Sequence, residues 1–303
     1  MTPLSQKILE SYQIRKTKKQ KLQFIDLLRQ HFPNLQIQEG GIIKCRNIII
    51  GDIENAKVIL SAHYDTCSVL PFPNFITPKK PLFTILYSIL IIIPIFVVVL
   101  LLNKLLNQLS NDYWLHYFLS IAVYFGLLAL LVIGPANKHT ANDNTSGVIT
   151  LCELLDALTE EERNKVAFVF FDHEETGLIG SYLFKKQHKN IMQNKLLINF
   201  DCVSDGDYIL LAATKAARDT YAEQFEASFR SMDNKTILLD SLEKIYYPSD
   251  HAGFHVALAA AALKQKPVIG YYMDRIHTSK DTVFDETNIT LLCNGVRNFL
   301  EKI

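Results

Sequence analysis

Two uninterrupted apolar runs constrain this 303-residue chain more than any other feature. Residues 81–103 carry no charged side chain, and 82–102 read LFTILYSILIIIPIFVVVLLL. Residues 113–133 read YWLHYFLSIAVYFGLLALLVI, with His116 the only acidic or basic group. Each run has about the 20 residues that cross ~30 Å of hydrocarbon as a helix. A surface helix of a water-soluble protein would keep a polar stripe every few residues, and neither run has one. The link between them is polar, with Asn103, Lys104, Asn107, Gln108, Ser110 and Asn111. Pro94 and Gly126 are tolerated inside membrane helices. The pattern predicts a transmembrane helical hairpin over 81–134, with helices at about 82–102 and 113–133.

Charge on the flanks bears on orientation. Lys79, Lys80 and Lys138 lie outside the hairpin, whereas its connecting loop offers only Lys104 near Asp112. The positive-inside bias then places both outer ends, and the catalytic part of an integral membrane protein, in the cytoplasm. The basic stretch 15–21 leads into an amphipathic segment rather than an apolar one, so no signal peptide is expected there. Five cysteines (Cys45, Cys67, Cys152, Cys202, Cys293) are far apart and odd in number, which fits buried thiols in a reducing compartment. Lys+Arg and Asp+Glu both number 31, and this balance argues against a nucleic-acid-binding surface.

The remainder alternates between the two periodicities of secondary structure. Residues 5–31 show an amphipathic helix pattern followed by Pro33, and Gly40-Gly41 and Gly51-Asp52 turn into probable strands at 42–50 and 57–62. After the hairpin, 145–158 and 178–187 read as helices, and 165–171 (KVAFVFF) and 196–200 (LLINF) as buried strands. Segments 208–212, 214–230, 251–263, 267–272 and 286–300 continue the alternation of strand and helix. Such a chain folds as a three-layer α/β/α sandwich on a mixed, mostly parallel sheet. Residues 1–80 and 135–303 would make one domain of roughly 250 residues, with the hairpin 81–134 inserted into it.

Polar residues cluster where the apolar strands end, the place at which open α/β sheets build their sites. They are His63 and Asp65, Asn142-Asp143-Asn144, Asp172-His173-Glu174-Glu175, Asp201, and His277 with Asp281. Any one alone could be a helix cap, a turn residue or a solvated charge pair. Five such groups, each after an apolar segment, suggest a divalent metal site with mixed nitrogen and oxygen ligands. Competing chemistries fail on spacing. His173-Glu174-Glu175-Thr176-Gly177 lacks the second His of an H-E-x-x-H helix, and there is no G-x-S-x-G elbow or phosphate-binding glycine loop.

The constellation resembles the co-catalytic zinc aminopeptidases, a group that includes secreted bacterial leucyl aminopeptidases, glutamate carboxypeptidase and glutaminyl cyclase. The residues that carry it are His63-x-Asp65, Asp143-Asn-Thr-Ser-Gly, Glu174-Glu175-x-Gly-x-x-Gly-Ser181, Asp201, Ser249-Asp250-His251 and His277-Thr278-x-x-Asp281-Thr282. The hairpin occupies what is a loop of the family between Asp65 and Asp143. The resemblance implies two zinc ions bridged by Asp143, one also held by His63 and Asp201, the other by Glu175 and His277. It also implies a cis peptide after Asp143. Asp65 would accept the second ring N–H of His63. Two cations would acidify a water between them, and Glu174 would be the general base that moves its proton to the leaving amine. Tyr246 would donate to the tetrahedral oxyanion, or Tyr247 if the alignment slips by one. His173, His251 and His255 are left structural. Asn142 stands where the family often carries Asp, which removes one negative charge beside the bridge.

The function expected is that of a membrane-anchored, zinc-dependent exopeptidase, most simply an aminopeptidase on small peptides, with the lipid bilayer as its other partner. Carboxypeptidase, dipeptidase and glutaminyl cyclase activities share the frame. A silent scaffold like the family's receptor-type members is the other alternative, although every implied ligand is present. Because the hairpin enters between His63 and Asp143, its helices should lie antiparallel and project from the body, with the site within about twenty residues' reach of their ends.

Overall fold

The apolar runs at strand spacing close into one sheet. The computed structural model describes residues 1–232 and 234–303. Its strands are β1 (Gln36–Gly40), β2 (Cys45–Ile50), β3 (Val58–His63), β4 (Val166–Phe171), β5 (Leu196–Phe200), β6 (Tyr208–Ala213), β7 (Thr236–Ser241), β8 (Ala257–Lys266) and β9 (Gly270–Tyr272). They run in the order β1-β2-β4-β3-β5-β8-β6-β7, and β9 pairs with β8. The centre, β4-β3-β5-β8, is parallel, while β1, β2 and β9 are antiparallel additions and β6 opposes β8.

Central strands buried on both faces explain the continuous apolar runs. Val58, Leu60 and Ala62 of β3, and Phe168 and Phe170 of β4, point into one core. Helices α1 (Pro3–Ser11), α2 (Lys18–His31), α5 (Gly147–Ala157), α8 (Lys215–Ser228) and α9 (Glu286–Leu300) cover it. Ile59, Ala167, Val169 and Phe171 point the other way, against Phe184 of α7 (Ile179–Gln187). The single turn α6 (Glu160–Arg163) leads into β4. The three-layer α/β/α sandwich is therefore present.

Three local expectations change. Residues 5–31 are two helices, because Thr17 starts α2 with a capping box to Gln20 and the chain between them turns inward at Arg15. Arg15 is fully buried, with Nε donating to the Tyr64 carbonyl at 2.5 Å and Nη1 to Thr145 Oγ1 at 3.1 Å. The segment 251–263 reaches the sheet only at Ala257. Its alanines favour helix in isolation, but the slot between β5 and β6 admits a strand of small residues. The half-exposed strands β1 and β7 do not stand out in the sequence for the opposite reason, too weak an apolar pattern.

Helices α3 (Pro81–Leu109) and α4 (Tyr113–Ile133) form the expected antiparallel hairpin, both long and apolar enough to cross a membrane. Helix α3 continues past residue 102 because its polar end is paired. Ser120 Oγ donates to Asn103 Oδ1 at 2.8 Å, and His116 Nδ1 lies 2.8 Å from Asn107 Oδ1.

One buried ion pair ties α2 to the loop that follows β4. Lys21 Nζ donates to Asp172 Oδ1 at 2.5 Å, and Asp172 Oδ2 accepts the Arg46 N–H at 2.9 Å. Removing one partner leaves a buried charge uncompensated. Lys21→Ala is expected to lose about 3–5 kcal/mol of stability, measured by chemical denaturation; a loss within about 0.5 kcal/mol, typical of a surface site, would contradict it.

Candidate active site

The parallel centre of the sheet delivers its strand ends to one place. His63 is the last residue of β3, Glu174 and Glu175 follow β4, and Asp201 follows β5. Asp143 lies in the turn that enters α5, and its peptide bond to Asn144 is cis. His277 follows β9 with a left-handed backbone, φ 60°.

Asp143 is at the centre, and its two oxygens face different histidines. Oδ1 lies 3.3 Å from His63 Nε2, and Oδ2 lies 2.9 Å from His277 Nε2. The outer carboxylates follow the same division, Asp201 Oδ1 at 3.4 Å from His63 Nε2 and Glu175 Oε2 at 3.2 Å from His277 Nε2. Glu174 joins His63 and Asp201, with ligand atoms within 4.8 Å of one another. The structure thus brings together His63, Asp143, Glu174, Glu175, Asp201 and His277.

Two further carboxylates orient this set through backbone amides. Asp281 accepts the N–H of Asn142 at 2.8 Å and of Asp143 at 3.0 Å. Asp65 accepts the N–H of Glu174 at 3.0 Å and of Glu175 at 3.3 Å. The His63 Nδ1 atom sits 3.1 Å from the Asp65 carbonyl and 3.6 Å from its carboxylate, so the nearer acceptor is main chain. Asn142 substitutes hydrogen bonds for the missing charge, since its Oδ1 accepts the N–H groups of Ser204 and Asp205 at 2.7 and 3.0 Å. Asp281 stood in the motif without a role. Nothing in its residue type signals the two amides it reaches across 138 residues of chain.

The two tyrosines separate clearly. Tyr247 is buried, donates its hydroxyl to the Asp201 carbonyl at 3.0 Å and stacks on His251. Tyr246 is half-exposed, with its backbone N–H bonded to Pro78 at the base of the hairpin.

Enclosure sets the electrostatics. Desolvation raises the Glu174 carboxyl well above its ordinary value; His63 opposes this and Glu175 adds to it. Desolvation likewise pushes Glu175 up to about 8, against the pull of His277. Burial also disfavours charge on Asp143 and on both histidines, but here the pairing prevails. Asp143 falls below the usual carboxylate range beside His277 and His63, and His277 rises to about 9 between Glu175 and Asp143. His63 is raised as well, mainly by Glu174 and Asp201.

The donor set fits a pair of divalent cations. Imidazole nitrogens and carboxylates are the ligands zinc takes in catalytic sites, and the Glu175 Oε1 atom is buried with no hydrogen-bond partner. His63 and Asp201 would hold one cation, Glu175 and His277 the other, and Asp143 both. Asp281→Ala releases the two amides that aim Asp143. It is expected to weaken divalent-metal affinity about 10–100-fold with the fold intact by circular dichroism; unchanged affinity in a metal titration would remove this role.

Comparison with known proteins identifies the family. The signature of Peptidase family M28 matches residues 124–298. The chain belongs to that family. A stretch of 161 residues is 28% identical to a probable leucine aminopeptidase of Arthroderma otae, covering 47% of this chain and 42% of the relative. The chain thus spans less than half the length of that curated relative. Its fold is similar to a glutaminyl cyclase from Porphyromonas gingivalis (TM-score 0.60, 16% identity, 99% and 96% of the two chains). It is also similar to a Zn-dependent exopeptidase from Parabacteroides distasonis (TM-score 0.57, 14% identity, 99% and 94%). At these identities the two structures speak to the fold alone.

Proposed function

We propose that this chain is a zinc-dependent exopeptidase, an aminopeptidase that removes N-terminal residues from small peptides, carried on a membrane-spanning hairpin with its catalytic body in the cytoplasm. The observation that carries the reading is Asp143, with one oxygen turned to each of two histidine–carboxylate pairs. Two zinc ions at those pairs would supply the positive charge that acidifies a water and polarises the scissile carbonyl.

The side chains do the rest. Glu174 is held by its own N–H on Asp65, lies beside His63 and Asp201 and takes the proton of the attacking water. The same carboxyl then hands that proton to the leaving amine. Tyr246 is the proposed oxyanion donor, because the hydroxyl of Tyr247 is already committed to the Asp201 carbonyl. Asp65 and Asp281 act through the backbone, fixing Glu174, Glu175 and Asp143.

Removing the base and removing the bridge separate these roles. Glu174→Gln is expected to keep about two metal ions per chain and lose roughly 10²–10⁴-fold in kcat, with metal measured by mass spectrometry and turnover on amino-acid anilides and dipeptides. Asp143→Ala should lose metal. Full activity in Glu174→Gln would end the proposed mechanism, and a cyclised rather than shortened product would reassign the reaction.

The anchoring is tested separately. A reporter fused at the C-terminus should be cytoplasmic and one placed within 107–110 exported. Release by carbonate washing would refute the spanning hairpin; the reverse reporter pattern would invert the orientation.

A further inference from the structure

The hairpin and the catalytic body share a cavity. The pairs Asn107–His116 and Asn103–Ser120 fix the register of α3 on α4 and set Ile91 level with Val132. Residues 81–89 of α3 therefore run past the end of α4, by about 13 Å at the helical rise. One side of this overhang is fastened to the catalytic body. The Thr77 N–H donates to Thr84 Oγ1 at 2.8 Å, and the Tyr87 hydroxyl donates to the Pro73 carbonyl at 2.6 Å. The other side is bare and apolar, with Leu82, Ile85, Leu86 and Ile89 at least half exposed. At the end of α4 the Val132 carbonyl accepts Lys16 Nζ at 2.8 Å and Ser68 Oγ at 2.5 Å.

In the angle so formed lies a cavity of about 350 Å³. Glu175 and His277 border it on the catalytic side, and Ile91, Ile92, Leu131 and Val132 of the hairpin wall it on the other. The volume lies in the range of small-ligand sites, roughly 300–1,000 Å³. A space that ends on candidate metal ligands is where substrate beside the scissile bond must sit, and here half its wall is membrane helix. On the hairpin side Ser88 is the one hydroxyl among Ile91, Ile92, Leu128, Leu131 and Val132, so most polar side chains would lose water there without a partner. Apolar ones would bury against that wall.

We propose that the hairpin is part of the substrate site, and that the substrates are peptides with apolar residues beside the scissile bond, reaching the site from the bilayer along the overhang of α3. This rests on the catalytic reading of Glu175 and His277 given above. Ile92 and Leu131 are its specificity-determining residues. The lipid-facing stripe of α3 would seat the mouth of the cavity among the headgroups, where the free end of a membrane-held peptide emerges.

The test uses the full metal-loaded chain in phospholipid nanodiscs and two peptides of equal length, one beginning Leu-Phe and one Ser-Gln. The ratio of their kcat/KM values should favour the apolar peptide at least about 10-fold, the scale set by even small differences in an apolar pocket. Leu131→Trp and Ile92→Ser should each reduce that ratio at least about 5-fold by the same reasoning. Leu101→Trp, on the exposed surface beyond the cavity, should not change it. Because a ratio is read, a smaller folded fraction cancels. The apolar peptide extended by a transmembrane segment and inserted in the same disc should be cleaved faster than the free peptide. If the wild type cleaves neither peptide, the hydrolytic reading falls and this one with it. A ratio that the wall variants leave unmoved, whether or not it favours the apolar peptide, overturns the role of the hairpin alone. A free peptide cleaved as fast as its inserted form overturns delivery from the bilayer.

Discussion

Four carboxylates converge on two histidines in a space largely closed to water, and the α/β body is arranged to keep them there. Asp143, Glu174, Glu175 and Asp201 would repel one another at these separations. Burial raises the proton affinities of Glu174 and Glu175, and the surrounding carboxylates raise those of His63 and His277. Divalent cations would meet the same field of carboxylates and imidazoles. What cannot be left to ions is direction. That comes from backbone amides gathered on Asp65 and Asp281, and from the tertiary ties of Lys21 to Asp172 and Arg15 to Tyr64.

The hairpin is inserted at the point of greatest consequence, between His63 and Asp143. An insertion there is compatible with the site only if its ends return to the same spot, and the structure secures them. The segments before and after it meet at the Ser68–Ala136 bridge, and Ile76 pairs with Met273 just ahead of His277. Phe75 packs between Tyr87 of α3 and Tyr272 of β9. The apolar helices are thereby tied to the segments that lead to Asp143 and His277, rather than tethered by a slack linker.

Much of this was legible in the residues. The hairpin, the α/β alternation and the polar clusters that follow the apolar segments can be read from hydropathy and periodicity, because transfer of apolar surface from water and the pleat of a strand are local properties of the chain. His63, Asp143, Glu174, Glu175, Asp201 and His277 were recognisable as a constellation through their order along the chain. Other features were decided only in three dimensions. The alanine run at 257–262 is a strand because of the slot it enters, Arg15 is buried because carbonyls wait for it, and Asp281 finds its amides far away in sequence. Sequence separates Tyr246 from Tyr247 by one position; only packing commits the Tyr247 hydroxyl to a carbonyl and leaves Tyr246 half-exposed. The cavity shared by His277 and Leu131 is likewise invisible in the sequence, since long-range proximity is set by the sum of all packing and by no single residue's preference.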